Sequence, residues 1–369
     1  MKDFIVKLWE ESGFQDQTEI QKQAMPVLLA GKDVIAESPT GTGKTLAYLL
    51  PVIEKVDPDK KNIQAVILAP SHELAMQIYH ETQKWTKGSN INSAALIGGA
   101  NIKKQVEVLK KLPQIVVGTT GRVLELIKLK KMKMHEVKTI VVDEFDVLIA
   151  QEHVGNLNNI VKTTLKDRQI ALFSATLSKR TEDIASELMN EPQLIQVKRS
   201  TTQGPSNTDH LYAVCEHRDK VNVLMKLVRS GIEKALVFIN DFEKIKEIES
   251  KLTFKDFKIG VISGNSNKIE RKNVINDFRN GKLNLVVASD VAARGLDIEA
   301  LSHVINFDMT RDVDSYTHRA GRTGRMGAKG TVISLVTKGE EALLKRIAKK
   351  LNVTAQEVEL HHGKCIIKK

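Results

Sequence analysis

The 369-residue chain is 41% hydrophobic and 27% charged, with a formal net charge of +11 and a pI near 9.4. That length exceeds what one ordinary core fills and suits two domains. The surplus of Lys and Arg points to a polyanionic partner, because neutralised phosphates release their counterions; an acidic membrane surface is the weaker fit. Two cysteines, Cys215 and Cys365, exclude a disulfide framework and lack metal-ligand spacing. Apolar runs such as Ala65–Ala69 are too short to span a bilayer. The start, Met1 to Lys7, breaks its apolar residues with charge, unlike a secretory signal, so a cytoplasmic location without membrane contact is expected.

In chain order, short β-branched runs alternate with amphipathic segments, the pattern of parallel sheets covered by helices. Strands are expected at 33–36, 65–69, 114–117, 139–142 and 170–173. The stretch 199–208, Arg-Ser-Thr-Thr-Gln-Gly-Pro-Ser-Asn-Thr, has no periodicity and many turn formers, which predicts a linker. The second half repeats the plan with strands at 235–239, 259–262, 285–288, 304–307 and 331–335. An amphipathic basic helix follows over 338–351. The predicted organisation is α/β, with mainly parallel, helix-flanked sheets in domains 1–198 and 209–352, and a short basic tail over 353–369 that is too small for a further domain.

Pro39, Thr40, Gly41, Thr42 and Gly43 follow the first expected strand and open an expected helix, where backbone N–H groups and the helix dipole favour phosphate. Lys44 would reach the terminal phosphates and Thr45 would supply a hydroxyl for Mg2+, although Ser38 stands where the simple G-x-x-x-x-G-K-[ST] pattern has its first glycine. A mere glycine turn beside an exposed lysine leaves unexplained why all these groups meet at one strand-to-helix junction. Asp143 and Glu144 close the apolar run 140–142. In such ATPases the first carboxylate holds the metal, partly through water, and the second orients or deprotonates the attacking water. An acidic pair alone is commonly a solvated strand end, and the phosphate loop upstream favours chemistry here. Arg322 and Arg325 follow a short helix expected to start near Asp314. They are arginine-finger candidates, with a basic surface loop or nucleic-acid patch as the plainer alternatives that spacing leaves open.

These motifs in this order, from Phe4 to Gly327, resemble the DEAD-box family of ATP-dependent RNA helicases in its minimal two-domain bacterial form. The resemblance implies two tandem RecA-like domains that use ATP and Mg2+. Residues 13–21 are similar to the adenine-reading Q motif, with Gln21 on the base and Phe4 as the upstream aromatic. Asp143 to Asp146 match the namesake motif. Ser174, Ala175 and Thr176 match the segment linking hydrolysis to domain closure, a coupling role the resemblance extends to Asp146, His318 and Arg319. The run 290–297 is similar to the motif whose final residue, Asp297, contacts ribose, and His318 to Arg325 match the finger motif. On the RNA side, Pro70, Ser71, Gly99, Thr119, Arg122, Arg271 and Ser289, with the run starting at Gly264, fall where the family grips the sugar–phosphate backbone. The chain departs from the family at Phe145 (alanine), Gln17 (proline), Ser71-His72 (Thr-Arg), Thr120 (proline) and Lys268 (glutamine). His72 carries charge less reliably than arginine, which predicts weak stimulation by RNA.

The resemblance further implies that ATP and one RNA strand close the domains, bring Arg322 and Arg325 to phosphates around Lys44, and expel the partner strand over a short stretch. Aromatic residues are only 4%, and Phe173, Phe238 and Phe307 fall in expected core strands. Binding should therefore follow phosphates and sugar hydroxyls rather than base stacking. An ATP-gated RNA clamp or assembly placeholder is the chief alternative, and a DNA translocase the third. The expected partner is structured or ribosomal RNA, in ribosome assembly or RNA turnover, bound by a monomer that a protein or ribonucleoprotein partner targets.

Overall fold

The computed structural model describes residues 1–14, 16–39, 41–150, 153–197, 208–263, 266–293, 301–324, 329–361 and 364–368, and divides into two compact units, Met1–Ser200 and Thr201–Lys369. The first unit holds strands β1 (Val34–Glu37), β2 (Ala65–Ala69), β3 (Ser93–Leu96), β4 (Ile115–Thr119), β5 (Thr139–Val142), β6 (Gln169–Ser174) and β7 (Gln193–Gln196). They form one parallel sheet of order β3-β4-β2-β5-β6-β1-β7. Strands β2 and β5 are buried at every residue, as expected where helices cover both faces of a parallel sheet. Alternate residues serve opposite faces: Ile67, Val117 and Val141 join one core cluster, and Val66, Val116 and Ile140 the other.

The second unit holds β8 (Thr208–Val214), β9 (Ala235–Phe238), β10 (Ile259–Ile262), β11 (Leu285–Ala288), β12 (His303–Asn306), β13 (Gly330–Val336), β14 (Ala355–His361) and β15 (Lys364–Ile367), in the order β10-β11-β9-β12-β13-β8-β14-β15. All its pairings are parallel except the β14–β15 hairpin. The helix Lys338–Lys350 opens with a capping box from Thr337 to Glu340. Among the described residues no helix is long and apolar enough to cross a membrane.

The ten expected strands are present, and five more join them. β3 is too rich in Ala and Ser, and β7 too polar, to announce themselves as buried strands. Thr208 belongs to β8 rather than to a linker, while 199–207 lie outside the described residues. The segment 353–369, expected as a tail, instead extends the second sheet: β14 pairs with β8, and Val358 is buried in a core cluster with Leu224 and Val237. Its charge misled the reading. Glu357 and Glu359 flank Val358 and both pair with Lys368, at 3.1 and 3.2 Å, so the polar residues sit on the solvent side of an alternating strand.

Candidate active site

Because the strands of the first unit run the same way, the connections leaving them gather at one edge of the sheet, where ligands bind in such folds. β1 leads into the phosphate loop and the helix Lys44–Lys55. Gly43, the helix N-cap, has φ 90°, and a Cβ there would lie 2.6 Å from Gln21 Nε2, so both backbone and space require glycine. Gln21 accepts from Thr18 N at 2.9 Å and donates Nε2 to the Gly43 carbonyl at 3.1 Å, fastening the segment before it to the loop. Thr42 Oγ1 donates to the Pro39 carbonyl and lies 2.7 Å from Ser38 Oγ, so the serine at the pattern's glycine position braces the loop. Lys44 is only 9% exposed and donates Nζ to the carbonyls of Ser38 and Pro39. Burial lowers its pKa, against the opposing pull of Asp143, Asp146, Glu144 and Glu37.

Asp143, 4% exposed, ends β5 two strands away from β1. Its Oδ2 accepts from Tyr48 OH at 2.9 Å and its Oδ1 from Glu144 N at 2.9 Å. Burial pushes its carboxyl up to about 6; Lys44 pulls the other way and Glu144 pushes it further up. Tyr48 is wholly buried, its hydroxyl pKa driven well above the ordinary value by burial and by Asp143, and it is also hydrogen-bonded to Thr45. Sequence reasoning missed Tyr48. Its signal was available: it stands three residues after Thr45 and four after Lys44, hence on their helix face, with a polar tip in an apolar helix.

Glu144 combines two costs. Its φ of 48° lies in the left-handed region that only glycine occupies freely. At 8% exposure, its buried Oε2 makes no hydrogen bond among the described residues. Strain and an unsatisfied buried carboxylate oxygen in one residue mark functional sites. Beside it, Asp146 N donates to Ser174 Oγ (3.3 Å), Ser174 Oγ to the Thr176 carbonyl (2.6 Å) and Thr176 Oγ1 back to Asp146 Oδ2 (3.0 Å). Ser38 N donates to the Ser174 carbonyl at 3.0 Å, tying this triangle to the phosphate loop. The Thr45 hydroxyl and the Asp143 carboxylate are hard donors that fit Mg2+ with water, and the orphaned Glu144 oxygen is free to accept from a water. Phe4 packs half-buried against the core.

Further along the same edge, Pro70 and Ser71 follow β2, Gly98 and Gly99 follow β3, and Thr119 ends β4. Ser71 Oγ accepts from Leu74 N at 3.1 Å and caps the helix His72–Trp85. The His72 ring lies against Gly98, whose Cβ position is 3.0 Å from Nε2. Arg122 donates to the Ala100 carbonyl at 3.0 Å and pairs with Glu125 at 2.9 Å. Strand order thus sorts the edge: the expected RNA residues of this unit occupy β3, β4 and β2, and the expected nucleotide and coupling residues β5, β6 and β1.

In the second unit, Ala292 N donates to Ser289 Oγ and Arg271 to the Ala292 carbonyl, both at 3.3 Å, so these residues meet at the end of β11. Arg319, 1% exposed, grips both Asp290 oxygens at 2.6 Å and also donates to Asn306 Oδ1, the Asp308 carbonyl and Asn240 Oδ1. Its guanidinium lies 4.8 Å from the Phe238 ring centre. It is a buried strut across the ends of β9, β11 and β12, anchoring the helix Val313–Ala320 that carries His318. Arg322 is buried just beyond that helix. Thr40, Gly264, Asp297 and Arg325 lie outside the described residues.

A phosphate loop opening a helix, with an acidic strand end on the same edge of a parallel sheet, defines a P-loop nucleotide-binding protein. Residues 18–184 match the DEAD/DEAH box helicase family and residues 219–327 the helicase conserved C-terminal domain. The chain is 50% identical to the DEAD-box ATP-dependent RNA helicase CshC of Bacillus cereus, over 98% of this chain and 93% of that protein. It is 53% identical to the probable ATP-dependent RNA helicase YfmL of Bacillus subtilis, over 98% and 96% respectively. Among solved structures, S. cerevisiae Dbp5 bound to RNA and ADP BeF3 is similar with a TM-score of 0.88 at 30% identity, covering 97% of this chain and 94% of that one. The chain belongs to the DEAD-box helicase family and has its tandem RecA-like fold.

Proposed function

We propose that the chain hydrolyses ATP in response to RNA and uses the cycle to separate short RNA duplexes, the two domains closing on one strand. The observation that carries this reading is Glu144, held in a strained conformation with an unsatisfied buried oxygen beside Asp143 and Lys44. A fold retains such a cost where the group must meet something else. Lys44 and the backbone N–H groups of Gly41 to Thr45 bind the phosphates, and Gln21 and Phe4 read the base. Thr45 and Asp143 would hold Mg2+, which would neutralise phosphate charge when bound. Glu144 orients a water and takes its proton as the new P–O bond forms and the bridging bond to ADP breaks. Arg322 and Arg325 neutralise charge on the transferring phosphoryl group. The triangle Asp146, Ser174 and Thr176 relays this to domain movement, and Pro70, Ser71, Gly99, Thr119, Arg122, Arg271 and Ser289 grip the strand.

Structured or ribosomal RNA in the cytoplasm is the substrate we assign, and a monomer the acting form. The test is ATP-dependent displacement of a short RNA duplex carrying a single-stranded extension, with ATP turnover followed in the same samples with and without RNA. Displacement with RNA-stimulated turnover supports the reading; turnover unaffected by RNA refutes it. A clamp with little displacement is the second reading. It draws on Arg122, whose guanidinium is engaged by Ala100 and Glu125, and on His72, which replaces an arginine.

A further inference from the structure

Apart from Lys44, Arg122 and other residues within the helices, the positive charge of the first unit's described connections lies away from the edge that carries the motifs. Between strand and helix, the connections leaving β1, β2, β3, β5 and β6, at 38–43, 70–71, 97–101, 143–144 and 175–178, contain no Lys or Arg and two carboxylates, Asp143 and Glu144; Lys44 and Arg122 stand in the helices that follow β1 and β4. The connections entering the strands, 30–33, 56–64, 86–92, 110–114, 129–138, 162–168 and 189–192, lie along the opposite edge and contain thirteen Lys and Arg against six Asp and Glu. All of these basic residues but Arg168 are exposed. The acids are partly withdrawn: Asp33 is buried and accepts from Ile170 N and Asn190 N, and Asp167 pairs with Lys138 at 2.6 Å.

This edge is also built to keep its shape. Gln114 exchanges hydrogen bonds with Asn92 and donates Nε2 to the Lys60 carbonyl at 3.3 Å, joining the entries to β3, β4 and β2. Lys138 N donates to the Gln64 carbonyl and Gln169 N to the Lys138 carbonyl, both at 2.8 Å, carrying the seam on to β5 and β6. Gln169 Nε2 then reaches the Lys32 carbonyl before β1. Six interstrand steps of about 4.8 Å make the edge about 29 Å long, enough to follow a row of phosphates rather than a single one. Lys130 even occupies a left-handed turn position, φ 56°, where glycine would be easier.

We propose that this amino-terminal sheet edge is a second RNA-binding surface, one that holds the phosphate backbone of a duplex by charge while the motif edge works on a single strand. It rests on the RNA-helicase reading above for its choice of polyanion. The motif edge, with Arg122 its one basic residue assigned to the strand, would recognise a strand mainly through N–H groups and hydroxyls, and the opposite edge would supply the salt-sensitive attraction that retains structured RNA. Leu112, Leu129 and Leu165 stand exposed among the lysines, and an acidic, apolar protein segment is the occupant they would suit.

The test uses the whole chain with Lys111, Lys131 and Lys166, one from each of three entries, replaced together by Gln. Binding of a blunt 20-base-pair RNA duplex without nucleotide is measured across a KCl series, and ATP turnover with a saturating ten-nucleotide strand in parallel. The expected result is a loss of duplex affinity of at least about fivefold at 0.1 M KCl, a salt slope shallower by about 0.9 for each lost contact, and unchanged strand-stimulated turnover. Unchanged duplex affinity overturns the proposal, as does an equal loss for duplex and short strand. It is also overturned if Leu112→Ser, Leu129→Ser and Leu165→Ser together weaken duplex binding as much as the lysine set, which would make the edge a protein dock. If the unaltered chain shows no RNA-stimulated turnover, the helicase reading fails, while the duplex titration still reports on this edge separately.

Discussion

Replacing Tyr48 by Phe removes one hydroxyl from a wholly buried position and leaves the ring against Phe173, 5.1 Å away between centres. What is lost is the bond from Tyr48 OH to Asp143 Oδ2 at 2.9 Å, which depends on the charge of Asp143, together with the bond to Thr45, whose loss is the same at every pH. A hydrogen bond to a charged group contributes about 1.5–3 kcal/mol, and about 1.4 kcal/mol corresponds to one pKa unit. Asp143 titrates at about 6 in the fold, above its ordinary 3.8, so its ionisation opposes folding. That opposition is absent below the unfolded value and fully present above pH 6. The Tyr48 bond favours the ionised form, so Tyr48→Phe should raise the Asp143 pKa by about one unit. Destabilisation should then be larger at pH 8 than at pH 5 by about 1.4 kcal/mol, read from denaturant unfolding of the first unit. In ATP turnover, the acid limb of kcat/KM, which reports the free enzyme, should move from near pH 6 toward pH 7. Equal destabilisation at both pH values, with an unmoved acid limb, would refute the coupling of Tyr48 to Asp143.

Glu144→Gln keeps size and polarity but removes the carboxylate; ATP and RNA affinity should persist while kcat falls about 10²–10⁴-fold, and turnover within a factor of about three of the parent would refute the role proposed for it. Arg319→Lys keeps the charge but loses the planar fork, and should cost the second unit about 3 kcal/mol in denaturant unfolding while ATP affinity of the first stays put. Val358→Asp should destabilise the second unit by at least about 3 kcal/mol because a charge enters its core. Lys368→Ala, on the exposed side of the same hairpin, should change stability by under about 1 kcal/mol.

The sequence by itself determined the local chemistry. Gly41 to Thr45 at a strand-to-helix junction, Asp143 and Glu144 closing an apolar run, and ten buried strands were all legible, because backbone conformation and burial impose short-range patterns on residue choice. Where that pattern was weak, expectation failed: β3 was too rich in small residues and β7 too polar, and charged Glu357 and Glu359 hid the buried Val358 of β14. Only the tertiary structure decided which motifs share a place. Strand order β3-β4-β2-β5-β6-β1-β7 separates the expected nucleotide residues from the expected RNA residues along one edge and gathers lysines from six distant connections along the other. Likewise Tyr48 meets Asp143 across 95 residues of chain, and Arg319 spans three strand ends. Chain order does not encode strand order, since each crossover is free to place its strand on either side of those already laid down, and long-range packing selects among these placements.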